Sequence, residues 1–92
     1  MDMLDQLEQI IAERKANPRP GSYTNRLLEE GRPRIAQKVG EEAVEVIVAA
    51  LGQSREEQLG ELADLFYHTL VLMSDLGISL EDLHAKLAER HK

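Results

Sequence analysis

KVGEEAVEVIVAAL, residues 38–51, decides how the rest of the chain has to fold. Wound at about 100° per residue, Val39, Ala43, Val44, Val46, Ile47, Val48, Ala50 and Leu51 cover nearly its whole circumference. That is the pattern of a helix buried on all sides. Three carboxylates interrupt it. Glu42 and Glu45 share one narrow stripe, Glu41 flanks them, and Lys38 lies one turn back. Like charges at this spacing repel by roughly a few tenths of a kcal/mol even on an exposed helix. Near an apolar core the desolvation cost is far larger. A bound cation is the simplest compensation.

A second stretch, LGELADLFYHTLVLM at residues 59–73, repeats the pattern. Glu61 and Asp64 are again three apart on one stripe of an otherwise apolar helix. One such pair alone reads as a solvated polar stripe. Two pairs on consecutive helices read better as a metal site, because a hairpin can aim all four at one spot. Hard oxygen donors in a chain without cysteine suit Mg²⁺ or Mn²⁺ rather than Zn²⁺.

Outward from these helices the punctuation is clear. Asp2 to about Ala16 is amphipathic, with Leu4, Leu7, Ile10 and Ile11 at helical spacing. Asn17-Pro18-Arg19-Pro20-Gly21 breaks it. Ser22 or Thr24 caps a short helical segment from Asn25 to Glu30, ended by Gly31. Pro33 suits the first turn of the next helix, which runs to Leu51 and stops at Gly52. Gly40 inside it costs roughly 1 kcal/mol relative to alanine, which suggests close approach of a helix or ligand. Ser54 and Glu57 form a capping box for the second long helix, which ends at Leu76 before Gly77. Ser79 and Asp82 open a last helix, Leu80 to about Arg90. No period-2 strand pattern occurs. The expected architecture is all-α: a helical bundle built around a two-helix hairpin with paired carboxylates, one domain over residues 1–92, completed by dimerisation.

The dimer follows from size and surface. A chain of 92 residues buries only ~60–65% of its unfolded surface. The two central helices carry more apolar surface than one neighbour can cover, so a homodimer is the simplest expectation. No apolar run approaches the ~20 residues of a membrane span, and no signal-peptide core is present. Cytoplasmic location and no membrane partner are expected.

Charge is unevenly placed. Residues 14–38 hold seven basic and two acidic side chains, +5, so the remainder of this net −6 chain carries −11. A basic segment leading into an acidic stripe can hold phosphates bridged by metal ions, which favours a small phosphorylated substrate over nucleic acid. Tyr23 reads either as a surface-packed ring or, near Thr24 and Arg26, as a neighbour of that ligand. His68 lies one turn beyond Asp64, either as a donor to a carboxylate or a substrate contact, or as a core-edge histidine with a partner. Asp75, His84 and His91 read as solvated. No cysteine, Gly-x-Ser-x-Gly, Gly-rich phosphate loop or His-Glu-x-x-His occurs. The expected nucleophile is therefore water, activated by the cation with a carboxylate as base.

Glu42-x-x-Glu45, fifteen intervening residues, then Glu61-x-x-Asp64 is similar to the signature of the all-α nucleotide pyrophosphohydrolases, the MazG-like superfamily. Ser22-Tyr23-Thr24, Leu27-Leu28, the run from Lys38 to Glu45, Ala63 to His68, and Gly77 to Leu83 narrow the resemblance. Together they resemble the phosphoribosyl-ATP pyrophosphohydrolase family of histidine biosynthesis. The resemblance implies Mg²⁺-dependent hydrolysis of a phosphorylated nucleotide to pyrophosphate by a cytoplasmic all-α dimer. It implies Glu42, Glu45, Glu61 and Asp64 as metal ligands. Glu41 is implied as a further ligand or the base, and Lys38 as a phosphate contact. Tyr23, Thr24, Arg26 and Arg34 are implied beside the substrate. The catalytic group expected on this basis is Lys38, Glu41 and Glu45. The alternatives are a house-cleaning hydrolase of (deoxy)nucleoside triphosphates and a non-catalytic helical dimerisation module.

Overall fold

The computed structural model describes residues 2–92, and all its regular elements are helices: α1 Met3–Ala16, α2 Tyr23–Glu30, α3 Arg32–Gly52, α4 Arg55–Leu76 and α5 Leu80–Arg90. Local chemistry sets their ends. Asp2 caps α1 by accepting from the Asp5 N–H. Ser22, not Thr24, caps α2, so the helix begins two residues before Asn25 and draws Tyr23 and Thr24 into its first turn. The capping boxes at Ser54 and Ser79 are both complete. Gly77 adopts the left-handed conformation (φ 72°, ψ 28°), where a side chain would be strained, and turns the chain out of α4.

α3 and α4 form an antiparallel hairpin joined at Gln53 and Ser54, and α1 and α2 pack against one end of it. There the core forms from Ile11, Leu27, Ile35, Leu70, Val71, Met73 and Leu80. Polar ties close the same end. Arg32 Nε donates to Asp75 Oδ2 at 2.7 Å, and Lys15 Nζ donates to the Ser74 carbonyl at 3.0 Å. Glu8 Oε2 accepts the Leu80 N–H at 2.7 Å, capping α5. Buried Asn25 accepts from the Arg19 N–H and donates to the Arg14 carbonyl, pinning the Pro-rich connector.

Two expectations need correction. Asp75 is not simply solvated, because its carboxylate is ion-paired with Arg32. Within one chain α3 is not buried all round: only Ile35 and Ala49 are buried, while Ile47 is 58% and Leu51 84% exposed. α4 packs along one side of α3, and α2 also packs against α3. Gly40 has nothing within 4 Å of where a Cβ would stand, so no approach within this chain requires it. No helix among the described residues is long and apolar enough to cross a membrane. His84 and His91 are exposed on α5 and its cap, as expected.

Candidate active site

The hairpin register sets the site. Residues in the middle of α3 face residues in the first half of α4, and carboxylates three apart point the same way on each helix. Glu42, Glu61 and Asp64 each offer an oxygen, and these atoms lie within 4.8 Å of one another. Glu42 and Glu61 are half-buried and Asp64 is exposed, so one side of the group is open to solvent. Glu45 is exposed and stands outside this group, although its charge reaches Glu61. Desolvation, then the charges of Glu45, Asp64 and Glu42, push the Glu61 carboxyl above its ordinary value. Such a group favours a divalent cation, and oxygen-only donors fit a hard one.

The cationic flank comes from α3. Lys38 Nζ lies 3.3 Å from Glu42 Oε1 and 3.4 Å from Glu41 Oε1. Desolvation opposes its charge, but hydrogen bonds to Glu42 and Glu41 and the pull of Tyr23 and Glu42 hold its pKa above the ordinary lysine value. Glu41 is not one of the three convergent carboxylates. It takes a hydrogen bond from Gln37 and lies 3.9 Å from Arg34 Nη1. Desolvation pushes its carboxyl up, yet the bonds from Gln37 and Lys38 and the charges of Lys38 and Arg34 outweigh it, so its pKa is lowered. Arg34 also pairs with Glu30, at 3.5 Å.

The first turn of α2 meets α4 one turn past Asp64. His68 is buried, and its Nδ1 bonds the Asp64 backbone carbonyl at 2.6 Å. Nδ1 therefore donates, which leaves Nε2 to accept the Tyr23 hydroxyl at 2.9 Å. His68 is thus a buried histidine with partners, and its Nδ1 bonds the Asp64 carbonyl, not a carboxylate. The Thr24 hydroxyl bonds the Tyr67 hydroxyl, and the Tyr23 and Tyr67 rings stack with centroids 6.2 Å apart. The Arg26 guanidinium carbon sits 5.2 Å from the Tyr23 ring centroid, a cation–π arrangement. Beside it a cleft of about 360 Å³ is lined by Arg19, Pro20, Gly21, Ser22, Tyr23, Asn25, Arg26 and Glu29. Sequence reasoning missed Tyr67, Asn25 and Arg19 here. Tyr67 packs partly buried against the hydrophobic core and carries no distinctive sequence signal, whereas Arg19 lay within the basic segment already singled out.

Comparison with known proteins bears on this arrangement. A family model described as phosphoribosyl-ATP pyrophosphohydrolase matches residues 4–91. The phosphoribosyl-ATP pyrophosphatase of Sulfurisphaera tokodaii is 52% identical over 91 residues, 99% of this chain and 97% of that protein. That of Metallosphaera sedula is 48% identical over 91 residues, covering 99% and 98%. The histidine biosynthesis bifunctional protein HisIE of Vibrio cholerae is 52% identical over 92 residues, and there the chain spans 44% of the relative.

Proposed function

The chain belongs to the phosphoribosyl-ATP pyrophosphohydrolase family, and from that premise we infer that it hydrolyses 1-(5-phosphoribosyl)-ATP in histidine biosynthesis. Water attacks between the α- and β-phosphates, giving phosphoribosyl-AMP and pyrophosphate. Residues 1–92 act as one all-α catalytic domain, and the reaction belongs in the cytoplasm with the rest of a biosynthetic route. The observation that carries the reading is the convergence of Glu42, Glu61 and Asp64 from two facing helices beside Lys38.

In this reading Glu42, Glu61 and Asp64 would hold Mg²⁺, and Glu45 stands beside them. Bound there, Mg²⁺ neutralises phosphate charge and makes water a better nucleophile at neutral pH. Glu45 is the base. It forms no ion pair among the described residues, whereas Glu41 is held by Lys38 and Arg34 with a lowered pKa, poor for taking a proton. Glu41 instead orients Lys38, which contacts phosphate. Arg26 and Arg34 supply further positive charge to the triphosphate, and Tyr23 and Thr24 shape that side of the site.

The exposed apolar face formed by Val44, Ile47, Val48, Leu51, Leu59, Leu62 and Phe66 is the surface of a homodimer in the same reading. Monomeric proteins rarely leave contiguous apolar patches of such extent in water.

The test is pyrophosphate release from phosphoribosyl-ATP, run beside ATP and dCTP, with and without Mg²⁺. Turnover of phosphoribosyl-ATP only with the metal, well above both free triphosphates, is expected. Preference for dCTP would move the chain to the house-cleaning activity. No turnover of any substrate would leave a helical dimerisation module.

A further inference from the structure

Two consecutive side chains at the start of α2 bond two consecutive side chains of α4. Tyr23 donates to His68 Nε2, and Thr24 meets Tyr67. These pairs are 45 and 43 residues apart in sequence, so they are tertiary cross-links. His68 is only 5% exposed, and both its ring nitrogens are engaged within the protein. The Tyr23 hydroxyl is thereby committed to α4, while the face of its ring carries the Arg26 guanidinium.

We propose that His68 is a positioning residue: through Tyr23 it sets the place of Arg26 relative to the carboxylates on its own helix. The chain of contacts is continuous. Asp64 and His68 are one turn apart on α4, His68 holds the Tyr23 hydroxyl, and the Tyr23 ring supports Arg26. A long arginine side chain has much rotamer freedom to lose on binding phosphate. Stacking on a ring whose hydroxyl is fixed removes part of that loss in advance. Tyr23 acts here as a fixed platform, and its hydroxyl is not a phosphate donor.

The inference rests on the proposed activity for its meaning but not for its test. The Nε–Hε resonance of Arg26, observed by ¹⁵N NMR, should be displaced from that of free arginine by the Tyr23 ring. In His68→Leu and in Tyr23→Phe it should move toward the free position, and in Glu42→Gln it should stay. With phosphoribosyl-ATP, each of the two clamp variants should raise KM by about 3- to 10-fold with kcat within about twofold, the size of one net hydrogen bond. The double variant should be no worse than the worse single, because both remove the same bond. His68→Gln, which retains a polar atom near the Nε2 position, should recover most of the loss. Should His68→Leu fail to fold, Tyr23→Phe carries the same expectations alone. An unmoved Arg26 resonance, or losses that multiply in the double variant, overturns the proposal. Absent turnover by the unaltered protein with the resonance behaving as described overturns the assigned reaction instead.

Discussion

The two halves of the α3–α4 hairpin both carry valine and leucine, and they have opposite surroundings. In the half built from the start of α3 and the end of α4, Ile35 and Val71 are wholly buried. α1 and α2 close over it, and Arg32–Asp75 and Lys15–Ser74 tie its edges. In the half that leads to the Gln53–Ser54 turn, Ile47, Val48, Leu51, Leu59 and Leu62 face outward. Composition does not separate the halves: Val and Leu are plentiful in both. What separates them is that the chain supplies partners for one only. The carboxylates stand at the boundary, where a packed helix pair gives way to an uncovered one. Their backbone is fixed by the closed half, and their oxygens remain accessible.

The sharpest way to break this arrangement is at the boundary. Replacing Glu42 by Gln together with Asp64 by Asn removes two of the three convergent negative charges while changing little volume. Metal-assisted chemistry supplies several kcal/mol, so kcat should fall by about a thousandfold or more. Far-ultraviolet circular dichroism should be unchanged. The rise in melting temperature caused by Mg²⁺ should vanish, since a cation that binds only the folded state stabilises it by ~2.7 kcal/mol at 100 times Kd. Equal stabilisation of the double variant by Mg²⁺ moves the cation elsewhere.

Next in size is a matched pair of apolar changes. Ile35→Ala in the closed half leaves a cavity, and it should cost about 2–5 kcal/mol at every protein concentration. Ile47→Asp in the open half should act through association instead. Light scattering should fall from about twice the 10.4 kDa chain mass to the chain mass itself. The melting temperature should then lose its concentration dependence. Equal, concentration-independent losses from both variants would show that the two halves are alike in solution.

How far the sequence anticipates these halves depends on the range of the signal. The capping boxes at Ser54 and Ser79 and the stop at Gly77 are written within four residues, and the structure forms them as expected. The convergence of Glu42, Glu61 and Asp64 was legible because helical spacing fixes which side chains share a face. Glu45 passes the same spacing test yet stands outside the group, because rotamer and crossing geometry decide the last few ångströms. The Tyr23–His68 and Arg32–Asp75 bonds join residues more than forty apart, and no local pattern announces either. That the central helices carry surplus apolar surface was legible, but not that it would lie bare on distal α3. An apolar circumference states that burial is needed, not which chain provides it.

A smaller effect probes the closed half's edge. Arg32 and Asp75 approach to 2.7 Å, but the Arg32 side chain is 59% exposed. Water and salt screen such a pair, so Arg32→Ala should cost no more than ~1 kcal/mol, and less at high ionic strength. A much larger loss in thermal unfolding would make this ion pair a main tie of α3 to α4 rather than trim.

The least of the expected effects tests whether the boundary is strained before a cation arrives. Desolvation together with the charges of Glu45, Asp64 and Glu42 raises the Glu61 pKa above its ordinary 4.5. The folded chain therefore keeps this proton at a pH where the unfolded chain has released it. As pH rises from 4.5 through the raised value, the folded state loses stability at this residue; above that value the deficit stays constant. Glu41, Asp82 and Asp2 have lowered pKa values and act in the opposite sense, losing stability as pH falls. The informative quantity is thus the difference between Glu61→Gln and the unaltered protein, in which those groups cancel. With a chelator present, the variant should melt slightly higher at pH 7, and the gap should shrink toward zero as the medium is acidified. With saturating Mg²⁺ the sign should invert, because a cation binds the deprotonated carboxylate and the variant offers none. A variant that melts lower than the unaltered protein at pH 7 without metal would mean that the carboxylates are already compensated from within the chain. The boundary between the two halves would then be an ordinary polar surface with no prior demand for a cation.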